Sequence, residues 1–169
     1  MPEPEKRDKS SLLDPGIAAI IPVEADTVVP WEGGMVLKRW WFSARERQDV
    51  PPVRAFHPRV MGRHLPATAL YDVLDEPPFF RVRLAGEDYH RAAGGPIKGV
   101  TAQDFPHTSP IFARFRWAVD NRRPYMVIDL PLLWAGKEYI LFSSLVMPLA
   151  DEDGTIVRLV SQNSYRMMA

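Results

Sequence analysis

The sequence predicts an α+β domain: a five-stranded antiparallel sheet with short helices on one face and one further helix near the N-terminus. Three observations carry this. Two alternating segments, ATALYDVL (67–74) and FFRVRLA (79–85), flank Asp75-Glu76-Pro77-Pro78, a connection rich in turn formers. Helical patterns follow, the longest being IFARFRWAVDN (111–121). Three more strand-like segments close the chain, the last two joined by Asp151-Glu152-Asp153-Gly154, a hairpin signal.

The elements follow from the residues in order. The first ten or so residues mix both charges and read as a frayed tail, and Ile17 to Val29 is apolar without a clear period, an extended or loosely held arm. Residues 1–34 are therefore set apart as a flexible tail and arm, and 35–169 as the domain. In MVLKRWWFSARERQ, Leu37, Trp40, Trp41 and Ala44 fall at helical spacing, with Gly33-Gly34 marking the start and Pro51-Pro52 the stop. That stripe needs a cover, either the outer face of the sheet or a partner chain, and Leu37, Trp40 and Trp41 are the candidate interface. A short helix is expected at Pro58 to Arg63. Glu87 to Ala93 reads as one or two helical turns ended by Gly94-Gly95. In the 111–121 helix, Ile111, Phe112, Phe115 and Ala118 form the apolar face, and Arg114, Asp120 and Arg122 are expected mostly elsewhere. The final strands are 125–130, 137–149 and 155–165. The segment KEYILFSSLVMPL is apolar on both faces, so both sides of the sheet should be covered.

Composition bounds the function. A chain of 169 residues, 46% hydrophobic, suits one domain that buries a core. Basic and acidic residues balance at 21 each, so no nucleic-acid partner is implied. There is no cysteine, which removes disulfides, thiolate nucleophiles and thiolate metal sites. No stretch reaches the roughly 18 apolar residues of a membrane span, and no signal-peptide pattern opens the chain. The expectation is a cytoplasmic protein without a membrane partner.

The segments LPATALYDVL, FFRVRLAGEDYHRAAGGPIKG, the NRRP before the third strand and LVMPLADEDGTIVRLV, in that order and spacing, resemble the PAS domain, and more closely a bacterial family of small stand-alone PAS-like proteins. The Trp40-Trp41 helix and His57-Pro58 also match, although that family more often has Asp before the proline. The resemblance covers the chain from about Val36 onward. It implies a sensing or protein-interaction module with a small-molecule-sized cavity between sheet and helices. It does not imply catalysis.

Candidate site residues come from the same stretches. In FFRVRLA, Arg81 and Arg83 point opposite to Phe80, Val82 and Leu84. A tight turn places Asp72 opposite Arg81 and diagonal to Arg83, a cross-strand ion pair that fixes register. The sharper alternative puts Arg83 under the N-terminal arm or in the cavity, where it meets an acidic group. Tyr89 and His90 lie on the helix that rims a PAS pocket, where Tyr89 either stacks on a bound molecule or covers the core edge. Phe112 and Trp117 belong to an aromatic interior that would line the cavity. The four histidines show no metal-ligand spacing. A single pocket histidine suffices for haem in some PAS proteins, which leaves His90 and His107 open, though neither sits in a clear apolar stripe. Without cysteine a covalent flavin photocycle is excluded, while non-covalent flavin stays open. The cofactor is unknown. No phosphate loop, nucleophile elbow or catalytic triad is present.

Three functional readings follow. The first is a non-catalytic PAS-type sensor or adaptor that binds a small molecule or a partner protein and signals in trans. The second is a constitutive dimerisation or interaction module whose cavity is filled by its own side chains. The third, a small α+β enzyme, lacks any acid–base or nucleophile constellation.

Overall fold

The computed structural model describes residues 15–101, 104 and 108–168. Within them the elements are α1 (Pro15–Ala18), β1 (Ile21–Pro22), α2 (Glu32–Ala44), β2 (Thr68–Val73), β3 (Phe80–Ala85), α3 (Glu87–Ala93), α4 (Ser109–Asn121), β4 (Tyr125–Leu132), β5 (Lys137–Ala150) and β6 (Ile156–Met167). The strands form one antiparallel sheet in the order β1-β4-β5-β6-β2-β3. The helices α3 and α4 enter after the second of the five long strands, and the fold is PAS-like.

The sheet has six strands rather than five. Ile21 and Pro22 pair with Met126 and Tyr125 along the free edge of β4, and the next residue, Val23, donates its N–H to Pro124 O at 3.1 Å. The arm is therefore built in, with Val23 and Val29 buried. Its lack of period has a simple cause: two residues of ladder are too short to alternate. Lys38 of α2 holds the arm from below, donating through Nζ to the carbonyls of Ala25 and Thr27 at 2.7 Å each. The frayed tail expected for the first ten residues lies outside the described residues.

The apolar stripe of α2 covers its own sheet, against β5 and β6. Leu37 and Trp41 are fully buried there, and the Trp41 indole donates to Pro148 O at 2.8 Å. Trp40 is half-buried and meets Phe56 edge-on at 5.1 Å. This corrects the expected interface at Leu37 and Trp41, which have no surface left to offer a second chain. Gly33-Gly34, expected to mark the start of this helix, lie in its first turn. A Cβ on Gly33 would stand 2.7 Å from the Gln162 side chain, so glycine there allows the helix to approach the sheet. The short helix expected after His57 is two 3₁₀ segments, Pro58–Val60 and Gly62–Ala67.

Along the central strands the faces divide by alternation. Gln162 of β6 and its partner Leu145 of β5 face α2, and the Trp31 indole donates to Gln162 Oε1 at 2.6 Å. Ser161 and Asn163, with their partners Val146 and Ser144, face the helices of the other side. From Leu141 to Ala150, β5 is buried on both faces, as a strand between two covered layers must be.

Candidate functional site

A cavity of about 100 Å³ lies between the inner face of the sheet and α3–α4. The sheet supplies Tyr71, Phe80, Val82, Tyr125, Val127, Phe142, Ser144 and Asn163. Tyr89 of α3 and Ile111, Phe112, Arg114 and Phe115 of α4 form the opposite wall, with Trp134 at one end. The glycine-rich corner after α3 closes the remaining side through Ile97, Val100 and Thr101. It does so by docking on the free edge of β3: Val82 N–H donates to Val100 O at 2.9 Å, and Gly99 N–H donates to Val82 O at 2.7 Å. Gly99 adopts φ 81°, a left-handed conformation that a side chain would strain. The glycines thus shape a lid.

The aromatic walls interlock edge to face, Tyr71 on Phe115 at 4.8 Å and Phe80 on both Phe112 and Phe115 at 5.4 Å. A hydroxyl chain runs along one wall. Tyr89 Oη and Ser161 Oγ lie 2.5 Å apart, and Ser161 Oγ reaches Tyr71 Oη at 3.5 Å. Burial pushes the Tyr71, Tyr89, Tyr125 and Tyr165 phenols above their ordinary range, so all four stay protonated at neutral pH.

Two polar groups stand out. Arg114 is 5% exposed, yet it lines the cavity. Its positive charge pulls the Tyr125 phenol down, partly offsetting the upward push of burial. Among the described residues no carboxylate comes within 4.0 Å of it. Asn163 is 7% exposed and donates through Nδ2 to Tyr165 Oη at 2.9 Å, while among the described residues no donor meets its Oδ1. An open groove of about 580 Å³, bordered by Trp31, Arg63, His64 and Tyr165, reaches the cavity at Asn163.

The structure distributes the residues expected from the sequence as follows. Tyr89 and Phe112 line the cavity. Trp117 does not; it is half-buried, with its ring 6.1 Å from Tyr125, one turn further along α4. His90 lies outside the cavity, and its Nδ1 accepts from the Ile97 N–H at 3.1 Å, fastening the corner. His107 is outside the described residues. Arg83 points away from the cavity because it shares the outward face of β3 with Arg81. Asp72 lies across from Arg81, and its carboxylate takes Arg81 at 3.0 Å, Arg158 at 3.1 Å and Arg83 at 3.4 Å. No group of three or more His, Asp or Glu among the described residues is placed to hold a metal.

Arg114 is the residue that sequence reasoning placed wrongly. It stands three residues after Ile111 and four before Ala118, so it occupies the apolar face of α4. A charge at a core position was the available signal.

No protein-family model matches the chain, and no curated protein matches it in sequence. Solved structures do. A sensory box sensor histidine kinase from Vibrio cholerae is similar over 62% of this chain and 86% of that one, at 17% identity and a TM-score of 0.47. The light-state LOV domain of the blue-light photoreceptor Aureochrome1 is similar over 62% and 84%, at 17% identity and a TM-score of 0.43. A light-oxygen-voltage domain studied with a flavin analogue is similar over 59% and 76%, at 14% identity and a TM-score of 0.45.

Proposed function

We propose that this PAS-like chain is a non-catalytic sensor or adaptor module that takes up a small molecule between sheet and helices and hands the change to another protein. The observation that carries this reading is the cavity itself, whose described lining sets apolar and aromatic walls around a buried guanidinium, Arg114. A buried charge is costly when left uncompensated, and a ligand that brings an acceptor relieves it. The described lining offers recognition rather than reaction. It holds apolar walls, hydroxyls fixed in their protonated form, an amide and a guanidinium, and none of these exchanges a proton near neutral pH.

A route outward supports the same reading. Asn163 faces the cavity, while the next residue in β6, Gln162, holds Trp31 at the start of α2. A shift of β6 on ligand uptake would therefore reach the opposite face of the sheet.

Native mass spectrometry of the protein purified from its host tests the proposal. The expected result is a bound mass of small-molecule size that is released on denaturation. A protein that carries no added mass, takes up nothing from a host metabolite extract and runs as a dimer is instead an interaction module.

A further inference from the structure

We infer that the ligand is a single-ring aromatic monocarboxylic acid whose carboxylate meets Arg114. This rests on the reading that the cavity binds a small molecule.

Charge comes first. Among the described lining residues Arg114 is the one basic or acidic side chain, for the other polar groups are hydroxyls, an amide and an indole. A guanidinium cannot shed its proton to escape burial, and it presents five N–H donors in a fork. Among the described residues no carboxylate lies within 4.0 Å of that fork. A buried cation without a counter-ion is costly, and a carboxylate on the fork supplies both the charge and two acceptors. The match is to one negative charge. A phosphate ester would bring a second, and no other cation on the described lining would meet it.

Size and shape fix the rest. The cavity, at about 100 Å³, bounds the body to no more than one ring, since an engineered apolar cavity of about 150 Å³ holds a single benzene. Phe80, Phe112, Phe115 and Trp134 give it ring-shaped walls suited to an aromatic body.

Isothermal titration calorimetry on the full chain decides, with benzoate, para-hydroxybenzoate, benzamide and benzyl alcohol as probes. The two acids should bind, and benzamide should bind more weakly than benzoate by on the order of tenfold to a hundredfold. In Arg114→Gln the acids should fall to the level of benzamide, with benzamide itself little changed. If Arg114→Gln does not fold, the acid-to-amide ratio of the unaltered chain still decides. Benzamide or benzyl alcohol binding as tightly as benzoate overturns the carboxylate assignment and leaves the sensor reading standing. An acid preference that survives in folded Arg114→Gln overturns the role of Arg114. Failure of all four probes on folded protein overturns this inference, and the native mass spectrum then judges the sensor reading separately.

Discussion

Tyr89 and Ser161 share a hydroxyl contact of 2.5 Å in a fully buried wall of the cavity. Tyr89→Phe keeps the ring and its edge-on contact with Tyr165 at 6.3 Å, and removes only the oxygen. Ser161 Oγ is then left with Tyr71 Oη at 3.5 Å, at the limit of a hydrogen bond. A buried hydroxyl stranded in this way costs about 1–3 kcal/mol. For a domain of this size each kcal/mol lowers the melting midpoint by about 2–4 °C, so Tyr89→Phe should melt roughly 2–12 °C lower. Ser161→Ala strands the Tyr89 hydroxyl and should cost a similar amount. The double variant removes both polar groups, and its cost should be smaller than the sum of the two by about 1–2 kcal/mol. Urea unfolding of the four proteins, with equal slopes, measures that coupling. Bound mass should persist in Tyr89→Phe, since the hydroxyl belongs to the wall. Strictly additive costs, or a Tyr89→Phe penalty under about 0.5 kcal/mol, would refute the contact as a structural bond.

Two further predictions concern charge. Asp72 presents a nearly buried carboxylate to three arginines, two of them about half exposed. Asp72→Asn removes the one negative charge among them, and should cost about 2 kcal/mol after allowance for solvent screening. Added salt should recover part of that loss by damping the repulsion among the guanidiniums; a variant as stable as its parent at low salt contradicts the cluster. The second is alkaline. Tyr71, Tyr89, Tyr125 and Tyr165 hold their protons more tightly folded than unfolded. Their contribution to stability is complete below about pH 10, the ordinary tyrosine value, and is lost as pH rises from there through the folded values. Stability should therefore fall steadily above about pH 10, and the phenolate absorbance of these four should appear together with loss of circular dichroism. Gradual ionisation of all four in a still-folded protein near pH 10 contradicts their burial.

Local sequence rules reached a good part of this fold. The hairpins were legible because Asp75 to Pro78 and Asp151 to Gly154 are short turns that leave few registers. The helix at Glu87–Ala93 was legible because Gly94, at φ 82°, ends it. The rest depended on distance along the chain. β1 is two residues that only an open strand edge recruits, and no periodicity marks it. The cover for Leu37 and Trp41 could equally have been another chain until β5 and β6 were seen beneath them. Arg158 joins Asp72 from a strand 86 positions further on, and no local pattern connects the two.

The cavity shows the division most plainly. By itself the sequence determined a two-sided sheet, an aromatic interior and a glycine corner, because these follow from alternation, helical spacing and backbone freedom within a few residues. Tertiary structure decided which arginine enters the interior. Arg83 and Arg114 are chemically identical, but the pleat of β3 turns one outward to Asp72 while the turn of α4 carries the other to the cavity wall. Electrostatic environment is set by what surrounds a charge in three dimensions, and a linear order of residues does not contain it.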